Sequence, residues 1–289
     1  MRRRLQLTLL ALAALALTVG VAPASQADKP KPLRYVALGD SYSAGSGVQP
    51  ANPEYPADCT QSLLNYPKLI AERTGARLRD VTCGGATTGD YFKPQFEDVE
   101  PQLKALRKRT QLVTMTIGGN DGGVFIDSIT NCGAAAATSI PPGTGHPCRD
   151  QYGNSFVRKI KRDTFPNLVR ALRAVHRKSP RARVAILGYL QILPPKDGCY
   201  PTMPVAEGDV PYLNKIQATL NDAVRRAAKR TGTKYVGVTR LSRGHDACQP
   251  MGTRWIEPVA GGTNPVIVHP NALGERKLAA RAMRALRLR

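Results

Sequence analysis

Helices on both faces of a parallel β-sheet, an α/β architecture, is what this chain predicts, and three observations predict it. Five short strand-like runs recur along the sequence and alternate with helices. Three of these runs end in glycine-rich turns, after Leu38, Thr82 and Ile117. With 289 residues, 42% of them hydrophobic, the chain can bury one sizeable core.

The first strand is Arg34 to Leu38, followed by Gly39-Asp40-Ser41-Tyr42-Ser43 and the turn residues Gly45 and Gly47. A proline-rich loop, Pro50 to Asp58, leads to a helix over Ser62 to Arg73, with Gly75 as its stop. Leu78 to Thr82 is the second strand and runs into Cys83-Gly84-Gly85-Ala86-Thr87. A basic helix is expected over Val99 to Lys108. The third and best-defined strand is Leu112 to Ile117, ending at Gly118-Gly119-Asn120-Asp121. Ile129 to Gly153 reads as irregular. Ser155 to Lys178 reads as a long helix bent at Pro166. Arg183 to Leu187 is the fourth strand, Pro211 to Arg230 a helix, and Lys234 to Val238 the fifth strand. A long loop then reaches His269, and Asn271 to Leu286 is the last helix. No internal repeat is present. Right-handed crossovers between parallel strands give the order 2-1-3-4-5, the flavodoxin-like three-layer α/β/α sandwich.

That order makes the first three strands neighbours, so Ser41, Gly85 and Asn120 share the carboxyl rim of the sheet, where open α/β sheets bind ligands. A serine there is a candidate nucleophile that needs a base. The backbone N–H groups of Ser41 and Gly85 and the Asn120 amide are candidate donors for a developing oxyanion. Four histidines could supply the base. His176 sits among Arg173, Arg177 and Lys178 on a helix, and His146 in a Pro/Gly loop beside Cys148. His245 is ambiguous. His269 ends the extended run Val266-Ile267-Val268 and precedes Pro270-Asn271 at a helix start, an entry that also belongs on the active rim, and it is the choice. Asp40 and Asp121 read as braces for their loops through bonds to backbone N–H groups. Trp255 reads as core or wall.

The amino end carries Arg2, Arg3 and Arg4, an apolar stretch from Leu5 to Val21, and small residues around Ala24 and Ala27. That is the pattern of a secretory leader over 1–27, with one domain over 28–289. Six cysteines without a Cys-x-x-Cys pair suit an oxidising compartment and argue against zinc. Pairing of neighbours is expected: Cys59-Cys83, Cys132-Cys148 and Cys199-Cys248. Net charge is +21, or +18 with the three leading arginines set aside. This favours anionic lipid surfaces and polyanions. The charge is dispersed over helix faces, however, and aromatics are only 6%, so no specific nucleic-acid partner is expected.

Gly39-Asp40-Ser41-Tyr42-Ser43, Gly85-Ala86-Thr87, Gly118-Gly119-Asn120-Asp121 and His269-Pro270-Asn271 resemble, in order, the four blocks of the SGNH (GDSL) hydrolases. The resemblance spans essentially the whole chain after the leader. Cys59, Ser62 and Tyr66-Pro67 also look like secreted actinobacterial lipase/esterases with three disulfides. It implies Ser41 as nucleophile, His269 as base, and Ser41, Gly85 and Asn120 as the oxyanion hole. The family usually carries an aspartate three residues before the histidine, where this chain has Val266. A valine side chain cannot orient an imidazole, so the Val266 carbonyl is expected to accept from His269 Nδ1–H, leaving a Ser-His dyad. A carboxylate from elsewhere, Asp246 for example, is the competing expectation. The implied activity is hydrolysis of acyl esters or lipids through an acyl-serine, with no metal or organic cofactor and the enzyme acting as a monomer. Phospholipase and carbohydrate acetylesterase activity are the alternatives, and a non-catalytic polyanion-binding protein is the rival of another class.

Overall fold

The computed structural model describes residues 31–288, so the leader expected at 1–27 lies outside the described residues. Five parallel strands form one sheet in the order β2-β1-β3-β4-β5, as the sequence predicts. They are β1 (Arg34–Ala37), β2 (Arg77–Asp80), β3 (Leu112–Met115), β4 (Arg183–Leu187) and β5 (Lys234–Val236). In the centre of the sheet Val36 stands beside Arg79 on one side and Val113 on the other. All four residues of β3 are buried, whereas β2 at the edge alternates between exposed and half-buried positions. A strand covered on both faces is near-continuously apolar, and in Leu-Val-Thr-Met the one polar group, the Thr114 hydroxyl, is bonded to Tyr35 OH at 2.5 Å.

The helices, in chain order, are α1 (Ser41–Ala44), α2 (Tyr66–Thr74), α3 (Val124–Thr138), α4 (Pro147–Tyr152), α5 (Ser155–Lys159), α6 (Phe165–Lys178), α7 (Val210–Thr231) and α8 (Ala272–Leu286). α2 packs on α8, and α6 packs on α7. Apolar residues at helical spacing on α7, among them Ile216, Leu220 and Val224, are buried in the core with Leu168, Leu172 and Val175 of α6.

Three local expectations are corrected. Val99 to Lys108 forms only a single 3-10 turn, Gln102–Ala105. The Gln102 amide there accepts from Gly39 N–H (2.7 Å) and donates to Gly39 O (3.0 Å), so a tertiary clamp replaces a continuing helix. The stretch read as irregular from Ile129 carries most of α3, whose alanine-rich end has the best intrinsic helix propensity. The Cys132–Cys148 disulfide joins it to α4. Between α5 and α6 the backbone widens into a π-helical turn, Ile160–Thr164, just ahead of Pro166. Proline lacks an N–H and crowds the carbonyl of the preceding turn, and a widened turn absorbs both defects. The other two disulfides are Cys59–Cys83 and Cys199–Cys248, so all three follow the expected pairing. Among the described residues no helix is long and apolar enough to cross a membrane.

Candidate active site

The tip of β1 sets the position of Ser41. Gly39 has φ +129°, and a Cβ there would stand 2.4 Å from Thr116 O, so only glycine lets β1 leave the sheet this close to β3. The flexible turn expected after it is instead one helical turn, α1. The Asp40 carboxylate caps it by accepting from Tyr42 N–H at 3.1 Å, and Gly45 closes it in the left-handed region. Ser41 is the first residue of that turn, and first-turn N–H groups have no intrahelical acceptor. Its N–H has no protein acceptor among the described residues.

The tip of β2 repeats this logic. Gly84 N–H donates to Cys59 O (2.8 Å) and Ala86 N–H to Cys83 O (3.2 Å). The Gly85 N–H between them is left without a protein acceptor among the described residues, and its φ of +74° again favours glycine. At the tip of β3, Asn120 Nδ2 donates to Ala86 O at 3.0 Å. That bond uses one of the two amide hydrogens and leaves the second to point elsewhere.

The two aspartates bind these tips together, as side-chain acceptors. Asp40 accepts from Thr116 Oγ1 (2.7 Å) and from Tyr189 OH (2.5 Å). Tyr189 OH in turn accepts from Gly119 N–H at 2.8 Å, so one buried carboxylate fixes the turn that carries Asn120. Asp121 accepts from Thr88 N–H (2.8 Å) and Thr88 Oγ1 (2.7 Å) and so joins the β2 and β3 tips. Burial pushes the Asp121 carboxyl up to about 6, against the two bonds from Thr88. Burial also raises Asp40, against its donors Thr116, Tyr189 and Tyr42.

His269 arrives from the opposite direction, out of the long stretch between β5 and α8. Its Nε2 stands 2.7 Å from Ser41 Oγ, and its Nδ1 stands 2.7 Å from Ile267 O. This corrects the expectation for Val266. The run Val266-Ile267-Val268 is not extended to its end, because Val268 takes φ +58°. That reversal folds the carbonyl two residues before the histidine back onto its own ring. A β-branched residue in the left-handed region is strained by about 1–3 kcal/mol and persists only where the surroundings hold it. Here Tyr42 OH donates to Val268 O at 2.9 Å, and Glu257 exchanges backbone bonds with both sides of the turn, its O accepting from Val268 N–H and its N–H donating to His269 O. Asp246 does not serve the imidazole: its carboxylate accepts from Cys248 N–H at 3.1 Å.

A carbonyl oxygen only accepts, so Nδ1 carries the proton in the neutral ring, and the Nε2 lone pair faces the serine. Burial lowers the His269 pKa below the ordinary histidine value, with the bond to Ile267 partly opposing it. Ser41 and His269 keep only 8% and 7% of their surface exposed. Both line an open groove shared with Gly85, Thr87, Asn120 and Val266.

The other histidines lie elsewhere. His245 stacks on Trp255 (centroids 4.1 Å apart, 8° between planes) and contacts Thr253 O at 2.6 Å. His176 contacts Thr233 Oγ1, and His146 stands 3.3 Å from Asp150. Sequence reasoning missed Ile267, Glu257 and Phe125. Glu257 is 1% exposed and accepts from Asn271 Nδ2, Thr263 N–H and Arg254, a carboxylate hub behind the histidine turn. Burial alone would raise its pKa, but those donors outweigh burial and hold it below the usual value. The Phe125 ring meets the His269 ring edge-on at 5.6 Å. A phenylalanine two residues past Gly122-Gly123 was the available signal. Among the described residues no group of three or more His, Cys, Asp or Glu side chains is arranged to hold a metal ion.

A sheet of this order, with a serine hydroxyl, an imidazole and unsatisfied donors on one rim, defines a carboxylic ester hydrolase. The chain belongs to the GDSL-like Lipase/Acylhydrolase family, whose model matches residues 37–277. It is 53% identical to Lipase 2 of Streptomyces coelicolor over 277 residues, covering 95% of this chain and 93% of that one. It is 31% identical to a lipase of Streptomyces rimosus, covering 89% and 88%. Among solved structures, phospholipase A1 from Streptomyces albidoflavus superposes with a TM-score of 0.70 at 28% identity, covering 88% of this chain and 97% of that one. The extracellular lipase of Streptomyces rimosus gives 0.71 at 26%, covering 88% and 99%.

Proposed function

We propose that the protein is a secreted lipase/esterase that works through an acyl-Ser41 intermediate with a Ser-His dyad. The observation that carries this reading is the imidazole of His269 bonded at once to Ser41 Oγ and to the Ile267 carbonyl, each at 2.7 Å. Nε2 takes the serine proton as Oγ attacks the acyl carbon. The oxyanion that forms is met by the N–H groups of Ser41 and Gly85 and by the second amide hydrogen of Asn120. Nε2 then passes its proton to the leaving alkoxide. Water enters, Nε2 takes a proton from it, and attack on the acyl-serine frees the acid and returns the proton to Ser41. The Ile267 carbonyl holds the tautomer throughout but supplies less than the full charge a carboxylate would give the imidazolium.

Acyl lipids and short-chain esters are the substrate class, met by a monomer at a lipid surface. The leader pattern, three disulfides and the extracellular relative support secretion. A phospholipase is the second reading, favoured by the likeness to the Streptomyces albidoflavus phospholipase A1 and by a net charge suited to anionic lipid. Turnover of a nitrophenyl butyrate by wild type and by Ser41→Ala tests the reaction. The variant is expected to lose activity by roughly four orders of magnitude or more, and equal rates would overturn the reading. Vesicles of phospholipid against emulsified triglyceride then separate the two substrate classes.

A further inference from the structure

Behind the groove that holds Ser41 lies a second cavity that the reaction above does not use. Its wall is apolar, with Ile129, Ile192, Leu193, Met203, Val205 and Leu213 on it. It holds about 70 Å³ of free space, where a single water needs roughly 10–15 Å³. The donors of the polar side chains that reach it are already engaged. Ser128 Oγ donates to Phe125 O (2.9 Å), Asn214 Nδ2 donates to Pro194 O (2.7 Å), and Gln217 accepts from Ile192 N–H and donates to Leu190 O. Tyr189 OH is spent on Asp40. No charged side chain lines it. The surface this cavity offers is mainly apolar and carries no charge, so the ligand it suits is a hydrocarbon.

One residue belongs to both spaces: Phe125 lines the apolar cavity and also the groove with Ser41 and His269. Its ring stands edge-on to His269 and, at 6.2 Å, to Tyr42, so it sits beside the reacting groups. Two and three residues before it, past the buried Val124 that opens α3, stand Gly123 and Gly122, both in the left-handed region (φ +74° and +64°). Two consecutive glycines leave the backbone there freer to turn than any other residue pair would. The next residue, Ile126, is 53% exposed, so the chain just past the ring is not packed in.

We propose that this cavity takes the acyl chain of the substrate and that Phe125 is the gate that sets how long a chain can enter. This rests on the ester-hydrolase reading of Ser41 and His269 and names the subsite that reading leaves open. With the ring in place, the groove holds a short acyl group against Ser41. With the ring turned aside, the two spaces join and a longer chain runs past His269 into the core between α3 and α7.

The test is the ratio of kcat/KM for nitrophenyl laurate to that for nitrophenyl butyrate, in wild type, Phe125→Ala, Leu213→Trp and the double variant. Each methylene seated in an apolar pocket is worth about tenfold or more in discrimination. Phe125→Ala is therefore expected to raise the ratio by about tenfold or more. Leu213→Trp, which fills the cavity from the α7 side, is expected to lower it by a similar factor, and the double variant to fall back toward wild type. Because each ratio is internal to one protein, a general loss of rate cancels. If Phe125→Ala does not fold, Phe125→Leu and Leu213→Trp carry the same comparison. Ratios within about twofold of wild type for the gate and the plug together would overturn the proposal and place the acyl chain along the exposed surface at Ile126. Failure of the underlying reading has a different signature: Ser41→Ala would hydrolyse butyrate as fast as wild type. Laurate binding to Ser41→Ala, weakened by Leu213→Trp, checks the cavity without any chemistry.

Discussion

The two arms of the site are held in different ways. The Ser41 arm consists of three strand tips, one running into the helical turn α1 and two into glycine turns, each fixed within a few residues of the sheet and cross-braced by Asp40 and Asp121. The His269 arm is a stretch from Gly237 to Asn271 with no helix or strand, only an isolated bridge between Ile256 and Pro270. Its order comes from the Glu257 hub, from the Cys199–Cys248 disulfide that ties it to the preceding loop, and from Tyr42 reaching across to Val268. The first arm uses the sheet as its frame, and the second borrows a frame from contacts distant in sequence. Changes in the first should therefore cost chemistry at constant stability, and changes in the second should cost stability.

The largest expected effect removes the meeting point of the arms. His269→Ala should lower kcat by roughly four to six orders of magnitude, read from steady-state hydrolysis of a soluble ester. Next, Asn120→Ala on the strand-tip arm should lower kcat by about 100- to 1000-fold with KM and the unfolding midpoint little changed. A parallel fall in stability would show that this arm is no more self-sufficient than the other. Glu257→Gln reverses the pattern. It leaves the buried Arg254 charge without its carboxylate 3.0 Å away. Denaturant unfolding should report a loss of about 3 kcal/mol. Because the Glu257 pKa is lowered in the folded state, its contribution is present above the ordinary glutamate value and is lost as pH falls through the folded value. The gap between wild type and Glu257→Gln should thus narrow in acid. The smallest effect is in pH. With His269 lowered by burial, Nε2 stays free to accept from Ser41 below pH 6.5, and the acid limb of kcat/KM should have its midpoint below that value. A midpoint above neutrality would contradict the buried geometry.

The same contrast explains what could be read from the sequence. Strand order followed from five short strand-like runs and handed crossovers: the central run, β3, is buried on both faces and stands out as apolar, while the edge strands β2 and β5 carry charged residues and were placed by their alternation with helices. Ser41, Gly85 and Asn120 were legible because each sits in the short turn just past a strand end (Ala37, Asp80 and Met115), where the turn chemistry is local. The carbonyl that orients His269 was not legible. Whether Val266 or Ile267 faces the ring depends on the φ of Val268, and nothing in Val-Ile-Val signals a left-handed residue. Tertiary bonds from Tyr42 and Glu257 impose it. Gln102 gives a second case, since a helical pattern yields there to a side chain needed at Gly39. The alanine-rich end of α3 was underrated for the opposite reason: its neighbouring loop residues hid a strong local propensity.

The central claim is that the Ser41 hydroxyl, made reactive by His269, carries the acyl group. Intact-mass measurement after treatment with an alkyl fluorophosphonate tests it most directly. The account predicts one adduct per chain, located on Ser41, with ester hydrolysis lost in step, no adduct on Ser41→Ala, and much slower labelling of His269→Ala. Labelling at another residue, or full labelling of Ser41 with hydrolysis intact, would contradict it.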